Sequence, residues 1–208
     1  MQVNRCIRCL DFPCIDVDKR SYLVPDMRIE PEKIRTIMIS EAPPHDPKDY
    51  FYARNNPSYL QTTMQAFKDA GLDVSSAKDI MGLGVYITTA IKCGKTGYSI
   101  SPGTIRTCSS LLETEIGLFP SARAILLMGD TAIEAVNSIA KRNLGERIIP
   151  RGSTYKIRCR EYFLKHLRVF PSYLQTGKSF LIEKSKRRMI AEDIAAALKF
   201  SKPDADQA

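Results

Sequence analysis

Several features that would narrow the class of this protein are absent from its 208 residues. No apolar run reaches the roughly 18 residues that a membrane-spanning helix needs, and the first ten residues, MQVNRCIRCL, contain no signal-peptide core. We therefore expect a cytoplasmic protein without a membrane partner. Internal repeats and low-complexity segments are also missing, so we expect one domain over residues 1–200 and a polar tail over 201–208. Histidine is scarce, since only His45 and His166 occur, which limits the candidates for an acid–base residue.

Acidic residues are in the minority. The chain has 23 Asp and Glu against 31 Lys and Arg, which gives a formal net charge of +8. A positive excess favours an anionic partner, and nucleic acid is the common one. Many basic proteins bind no nucleic acid, so the charge alone does not decide the class.

The cysteines form two separated groups and one isolated residue. They are Cys6, Cys9, Cys14, Cys93, Cys108 and Cys159. In a reducing cytosol such a set is not a disulfide framework. The C-x2-C pair CIRC can place two thiolates on one metal or cluster, and iron–sulfur clusters accept wide ligand spacings. Zinc usually needs a second close pair, and free cysteine is often simply buried. The residues alone leave these interpretations open, and a redox pair beside them.

Apolar runs and helical periodicity alternate along the chain. Strands are predicted over residues 33–40, 84–91 and 122–129, with a bent strand pair within 154–170, and helices over 57–72, 101–119, 130–144 and 181–200. This order predicts a three-layer α/β/α fold with a mostly parallel, four-stranded central sheet. Ligands bind at the carboxyl ends of the strands in such sheets. The segments SEAPPHD, TTAIKC and FPSYLQTGKS follow or end predicted strands and are therefore the candidate site segments.

Four segments, in chain order, match motifs of one known family. CIRC stands near the start, and ISEAPPHD occupies the place of a G-E-A-P-G motif. VYITTAIKC…C is similar to V-F-I-T-N-x-x-K-C…C, and AILLMGDTAIEAV is similar to I-L-x-L-G-x-x-A-x-x-A. Together they resemble the uracil-DNA glycosylase superfamily, closest to its iron–sulfur members, family 4. The resemblance covers most of the chain.

This resemblance implies an enzyme of DNA base-excision repair. It would act as a monomer that flips a base out of DNA and hydrolyses the N-glycosidic bond of uracil or another damaged base. The resemblance also implies a structural [4Fe-4S] cluster bound by Cys6, Cys9, Cys93 and Cys108. Cys14 lies close enough to Cys9 to substitute as a ligand, although the C-x2-C pair is preferred. Cys159 would then be a core residue.

The resemblance further implies roles for individual side chains. Glu41 would orient the attacking water or help to hold the base, and Phe51 would stack on the base, with Tyr52 as the next choice. The residues expected to contact the substrate are Ala42, Pro43, Phe51, Tyr52, Thr89, Phe170, Pro171 and Ser172. Leu174 is a candidate wedge for the DNA minor groove, and Lys178 is a candidate phosphate ligand.

Two positions depart from the family pattern. Thr89 stands where the family has the asparagine that reads the uracil edge, and threonine offers one hydroxyl in place of an amide donor and acceptor. In the H-P-S-x-L motif, one alignment places Phe170 at the histidine and another places Leu174 there. The base excised is therefore open, and the alternative is a catalytically inactive iron–sulfur protein that binds nucleic acid on the same fold.

Overall fold

The computed structural model describes residues 1–97 and 99–203, with the side chains of Lys178 and Ser179 left out. The predicted tail beyond residue 203 lies outside this part of the chain. The strands are β1 (Val17–Asp18), β2 (Thr36–Ser40), β3 (Val85–Thr89), β4 (Gly94–Lys95), β5 (Ala124–Met128), β6 (Tyr162–Leu164) and β7 (Leu167–Ser172). The helices are α1 (Val3–Cys6), α2 (Ser58–Asp69), α3 (Ala77–Gly82), α4 (Pro102–Ile116), α5 (Asp130–Leu144), α6 (Thr154–Ile157), α7 (Lys178–Ile182) and α8 (Lys184–Ser201).

The central sheet has the strand order β3-β2-β5-β7-β6. The first four strands run parallel, whereas β6 pairs antiparallel with β7, with Tyr162 opposite Val169. The α/β class with a mostly parallel sheet is confirmed, but the predicted strand count of four is wrong. The predicted strand pair contributes both of its strands, because a tight turn at Lys165, with φ of 56°, folds β6 back onto the edge of β7.

Helices cover both faces of the sheet. On one face α4 and α5 pack over inward-facing residues such as Ile37 and Ile39. On the other face α2 and α8 pack over Met38, whose side chain points the opposite way along the same strand. Because both faces are covered, β2, β3 and β5 are buried throughout, as their continuous apolar sequence predicts.

Two local predictions differ from the structure. The helix predicted over residues 181–200 is divided at Glu183 into α7 and α8. Cys159 is exposed, so the prediction that it belongs to the core is wrong. It lies between the short helix α6 and strand β6, in a segment that was predicted to be part of the strand pair. None of the helices in the described residues is long and apolar enough to cross a membrane.

The amino-terminal segment is joined to the loop that follows β3. Strand β1 pairs antiparallel with β4, with Val17 opposite Lys95 and Asp18 opposite Gly94. Asp16, directly before β1, accepts a hydrogen bond from the backbone N–H of Ser101 at 2.7 Å. The segment that carries the first cysteines is therefore held against the region of the later pair.

Candidate active site and cysteine cavity

The candidate active site lies at the carboxyl edge of the sheet, beside β2. Strand β2 pairs with β3 on one side and β5 on the other, so the chain direction across the sheet reverses there. Ligands of open α/β sheets bind at such a switch point. Glu41 is the first residue after β2, and Gly129 is the first after β5.

Glu41 is held by the start of helix α5. Its Oε1 accepts a hydrogen bond from the backbone N–H of Thr131 at 3.3 Å, and Lys95 Nζ lies 3.8 Å from Oε2. The positive end of the α5 dipole adds to this attraction. The side chain keeps 19% of its exposure, so a ligand can reach the carboxylate. The helix contact gives Glu41 a capping role as well as the predicted site position.

Gly129 allows the carboxylate to come this close. Its φ of 101° and ψ of 169° belong to a region that essentially only glycine occupies. A Cβ on this residue would lie 2.8 Å from Glu41 Oε1. Gly129 is therefore needed both for the backbone conformation at the start of α5 and for the close approach of the Glu41 carboxylate.

A cavity of about 320 Å³ opens beside Glu41. Asp130 and Leu174 line it from the ends of β5 and β7, and Thr154 and Lys186 line it from α6 and α8. Two larger depressions, of about 550 and 570 Å³, lie elsewhere. The first is lined by residues of α2 and α8 and by Ala70, which follows α2. The second includes Arg35 and Gly84, at the opposite, amino edge of the sheet. Strand topology therefore favours the smaller cavity as the site.

The aromatic residues predicted to stack on the base lie beneath this edge. Phe51 is fully buried, with its ring centroid 5.4 Å from that of Tyr59. The Tyr52 hydroxyl donates to the carbonyl of Ile87 at 2.9 Å and accepts from its N–H at 3.0 Å, so it braces β3. Stacking by either ring stays a prediction, and in this conformation both rings are occupied by protein contacts.

The remaining predicted substrate contacts differ in their placement. Ala42, Pro43, Pro171 and Ser172 are buried at the ends of β2 and β7. The hydroxyl of Thr89 is buried and donates to the carbonyl of Ile91 at 2.7 Å. These contacts with a base stay predictions.

The structure separates the two candidates for the family histidine position. Phe170 is buried in the core, where the Arg168 guanidinium lies 4.9 Å from its ring centroid. Leu174 lines the cavity beside Glu41. Of these two residues only Leu174 faces the cavity, and its side chain has no proton to donate; the alignment with the family histidine stays a prediction. The side chain of Lys178 lies outside the described part of the structure.

Sequence reasoning did not name Asp130, Thr154 or Lys186. Asp130 follows a buried strand directly, and that position could have marked it. Thr154 reaches the cavity from helix α6, and no local pattern marks it. Lys186 of α8 lies in the basic run KSKRR, which indicated a solvated helix face or a contact with the DNA backbone rather than a site residue.

Four cysteines line a second, apolar cavity. They are Cys9, Cys14, Cys93 and Cys108, and the cavity between their side chains is small, at about 20 Å³. Burial first, and then the neighbouring thiols, raise the pKa of Cys93 to about 12. Cys6 is not among the lining residues, because its thiol is exposed and lies 3.7 Å from the carbonyl of Gln2.

Within the described residues, no three metal-binding side chains are close enough to hold a single ion. A tetrahedral zinc site would bring sulfurs to within about 3.8 Å of one another. In a [4Fe-4S] cluster each cysteine binds a different iron, so the sulfurs stand further apart. Four thiols line this cavity, and a [4Fe-4S] cluster takes four thiolate ligands, so the donor set suits one.

The turn after β3 contacts both cavities, and it contains Lys92, a member of a buried ion pair. Lys92 Nζ contacts a Glu115 carboxylate oxygen and donates to the carbonyl of Thr89 at 2.6 Å. The backbone N–H of Lys92 donates to Cys108 Sγ at 3.3 Å, and the next link is the Ile91 N–H, which donates to the Glu41 carbonyl at 2.9 Å. The turn after β3 thus touches both the cysteine cavity and the candidate active site.

Comparison with known proteins decides the family. The model of the uracil DNA glycosylase superfamily matches residues 28–192. The chain belongs to this superfamily. The match begins after the three amino-terminal cysteines, so it does not bear on the cluster.

One characterised superfamily member aligns with part of the chain. The type-5 uracil-DNA glycosylase of Thermus thermophilus is 29% identical over 102 residues, which are 48% of this chain and 46% of that protein. The alignment thus spans about half of each protein. The predicted closeness to the iron–sulfur family 4 stays a prediction.

Proposed function

We propose that this superfamily member is a DNA glycosylase of base-excision repair, acting on uracil or another damaged base. The observation that carries the proposal is the position of Glu41. This residue lies at the switch point of the sheet, lines a cavity and is partly exposed to solvent. Its partner is DNA, in keeping with the net charge of +8. A monomeric state and a cytoplasmic location stay predictions.

The chemistry follows from how the N-glycosidic bond breaks. As the bond lengthens, positive charge develops on the sugar and the base leaves with the bonding electrons. The Glu41 carboxylate stabilises the sugar cation and orients a water, which forms the new bond to the sugar carbon. The proton that the water loses ends on the released base, so the step needs no other reactant. Because Thr131 and Lys95 hold Glu41, little reorganisation is required.

The recognition of the base differs from the family pattern. Leu174 lines the cavity and cannot donate to a departing oxygen, and the Thr89 hydroxyl is already bonded to Ile91. Thr154 and Lys186 supply hydrogen-bond donors on the cavity wall. We propose that they take over part of this role, with Lys186 leaving its surface ion pair with Glu183. Because these hydrogen-bond donors differ from those of the family pattern, the site allows recognition of a base other than uracil.

We propose that the cysteine cavity holds a [4Fe-4S] cluster, because four of its lining side chains are thiols. When bound, it would cross-link the amino-terminal segment, the loop after β3 and helix α4. The protein's own contacts prepare this site, since the Lys92 N–H bonds to the sulfur of Cys108 and the Tyr22 hydroxyl accepts from the N–H of Cys9 at 3.2 Å. Such hydrogen bonds orient ligands before a cluster binds.

An apolar wedge for duplex DNA follows the β7 end of the cavity. Leu181 and Ile182 are 53% and 78% exposed on α7, whereas Leu174 is half-buried at the cavity. We therefore propose this pair as the wedge in place of Leu174. Ile182→Asp should lower base release from duplex DNA at least tenfold and leave release from single strands within about twofold. Equal losses on both substrates would contradict the wedge.

A second candidate function is DNA binding without catalysis. Among the described residues no histidine lines the cavity, and this favours the second candidate. The two candidates differ in what Glu41 does, since a binding protein needs it only as a cap for α5.

The test compares Glu41→Gln with the native protein on a single-stranded oligonucleotide that contains one uracil or another deaminated base. Loss of the negative charge should lower the rate of abasic-site formation by about 100-fold or more. Glu134→Gln, on the exposed face of α5, is the matched control and should match the native rate. Native activity in Glu41→Gln would contradict the catalytic role. Retained DNA binding with no activity in any variant would favour the binding protein.

A further inference from the structure

The amino-terminal segment offers three cysteines, of which a cluster needs two. Cys6 and Cys9 form the C-x2-C pair, and Cys14 follows after four further residues. In the structure Cys9 and Cys14 line the cysteine cavity together with Cys93 and Cys108, whereas Cys6 does not. We propose that Cys14, and not Cys6, is the fourth ligand of the cluster, an inference that rests on the cluster in the proposed function.

The helix α1 explains why Cys6 points away. Val3 and Ile7 are four residues apart, so they share one helical face, and both are buried in the core. Cys6 lies on a different face, and its thiol is exposed. Turning Cys6 inward would expose Val3 and Ile7 to water and so lose the free energy of burying both side chains.

The chain between Cys9 and Cys14 turns both thiols to the same side. Phe12 has a φ of 43°, in the left-handed region, and its ring packs edge-on against Tyr22 at 5.2 Å between centroids. Tyr22 also binds the backbone N–H of Cys9 through its hydroxyl. The bend is therefore fixed on the wall of the cavity itself.

The residues that follow Cys14 are tied to the two elements that carry the other ligands. Asp16 accepts hydrogen bonds from the N–H of Ser101 and the hydroxyl of Thr104, at the start of the helix that contains Cys108. The carbonyl of Asp16 accepts from the Thr96 hydroxyl at 2.9 Å, in the loop that begins near Cys93. Cys14 is thus anchored close to both partners.

The resulting spacing suits a cluster. A C-x4-C step occurs in known iron–sulfur proteins. On transfer of a preassembled cluster, each of the four thiols would release its proton to solvent and replace one exchangeable ligand on iron, and no iron would change its oxidation state. Cys6 and Cys159 then remain as free surface thiols.

The experiment measures iron and acid-labile sulfide per chain in protein purified without oxygen. Cys6→Ser and the distant control Cys159→Ser should keep the native content, and Cys14→Ser should lose at least half of it. A loss in Cys6→Ser would overturn the assignment, and so would native content in Cys14→Ser.

A second measurement needs no variant. In the loaded native protein, alkylation followed by mass spectrometry should label Cys6 and Cys159 and spare Cys14 until the cluster is removed. Prompt labelling of Cys14 with protection of Cys6 would overturn the assignment even if Cys14→Ser fails to fold. A native protein that holds no iron after anaerobic reconstitution would overturn the cluster and this ligand together. Base release is measured separately, so it still decides the glycosylase proposal.

Discussion

Replacing Lys92 with methionine is expected to lower the free energy of unfolding by about 3–5 kcal/mol. Lys92 and Glu115 form an ion pair in which each side chain is only 1% exposed. The hydroxyls of Tyr86 and Thr88 donate to the other oxygen of Glu115, at 2.6 and 2.9 Å. Without Lys92 the carboxylate would be a buried charge with no counter-charge. The same substitution removes a donor from the carbonyl of Thr89.

Two controls separate this effect from lost packing. The double variant Lys92→Met/Glu115→Gln removes both charges and keeps an acceptor for Tyr86 and Thr88, so it should recover at least half of the loss. Lys33→Met breaks an exposed pair with Glu30 and should cost less than about 1 kcal/mol. Equilibrium unfolding in urea, with iron content matched between samples, measures all three. A Lys92→Met variant as stable as the Lys33→Met control would contradict the importance of the pair.

Gly129→Ala should lower kcat for base release by about 100-fold or more, with the fold retained. A Cβ at this position would lie 2.8 Å from Glu41 Oε1 and 3.0 Å from its Cγ, so the carboxylate must leave its seat on α5. The backbone conformation also becomes strained, at about 1–3 kcal/mol.

Gly145→Ala is the matched control for this variant. Gly145 stands at the other end of α5 with a φ of 82°, and a Cβ there would contact nothing within 4 Å. It should lower stability by about 1–2 kcal/mol and leave kcat unchanged. Circular dichroism checks that both variants fold. If Gly129→Ala kept native kcat, the position of Glu41 would not matter for the reaction.

The sequence was sufficient to predict the layers of the α/β fold and the segments that form the candidate site. Continuous apolar runs marked β2, β3 and β5 because these strands are covered on both faces, and their carboxyl ends gave Glu41 directly. The predicted strand pair was counted as one strand of the sheet. Edge strand β6 has only three residues with alternating burial, so its sequence pattern is weak. The helix break at Glu183 could not be predicted, because no glycine or proline stands near it in residues 178–188.

The side-chain directions could not be read from spacing. The C-x2-C pattern favoured Cys6, but the buried positions of α1 are taken by Val3 and Ile7, and only the folded helix shows which way the thiol points. Similarly, two alignments placed Phe170 or Leu174 at the histidine position. The register of β7 against β5 shows only where these residues lie, since it places Phe170 opposite Leu126 within the sheet.

The most direct test of the glycosylase proposal is release of free base by the native protein. A panel of oligonucleotides, single-stranded and duplex, would each carry one uracil, hypoxanthine, xanthine or oxidised base, and mass spectrometry would detect the free base. The structure predicts release of at least one of these bases, with an abasic site left in an unbroken strand. No release from any substrate, by protein that is folded, carries its full iron content and binds DNA, would contradict the proposal.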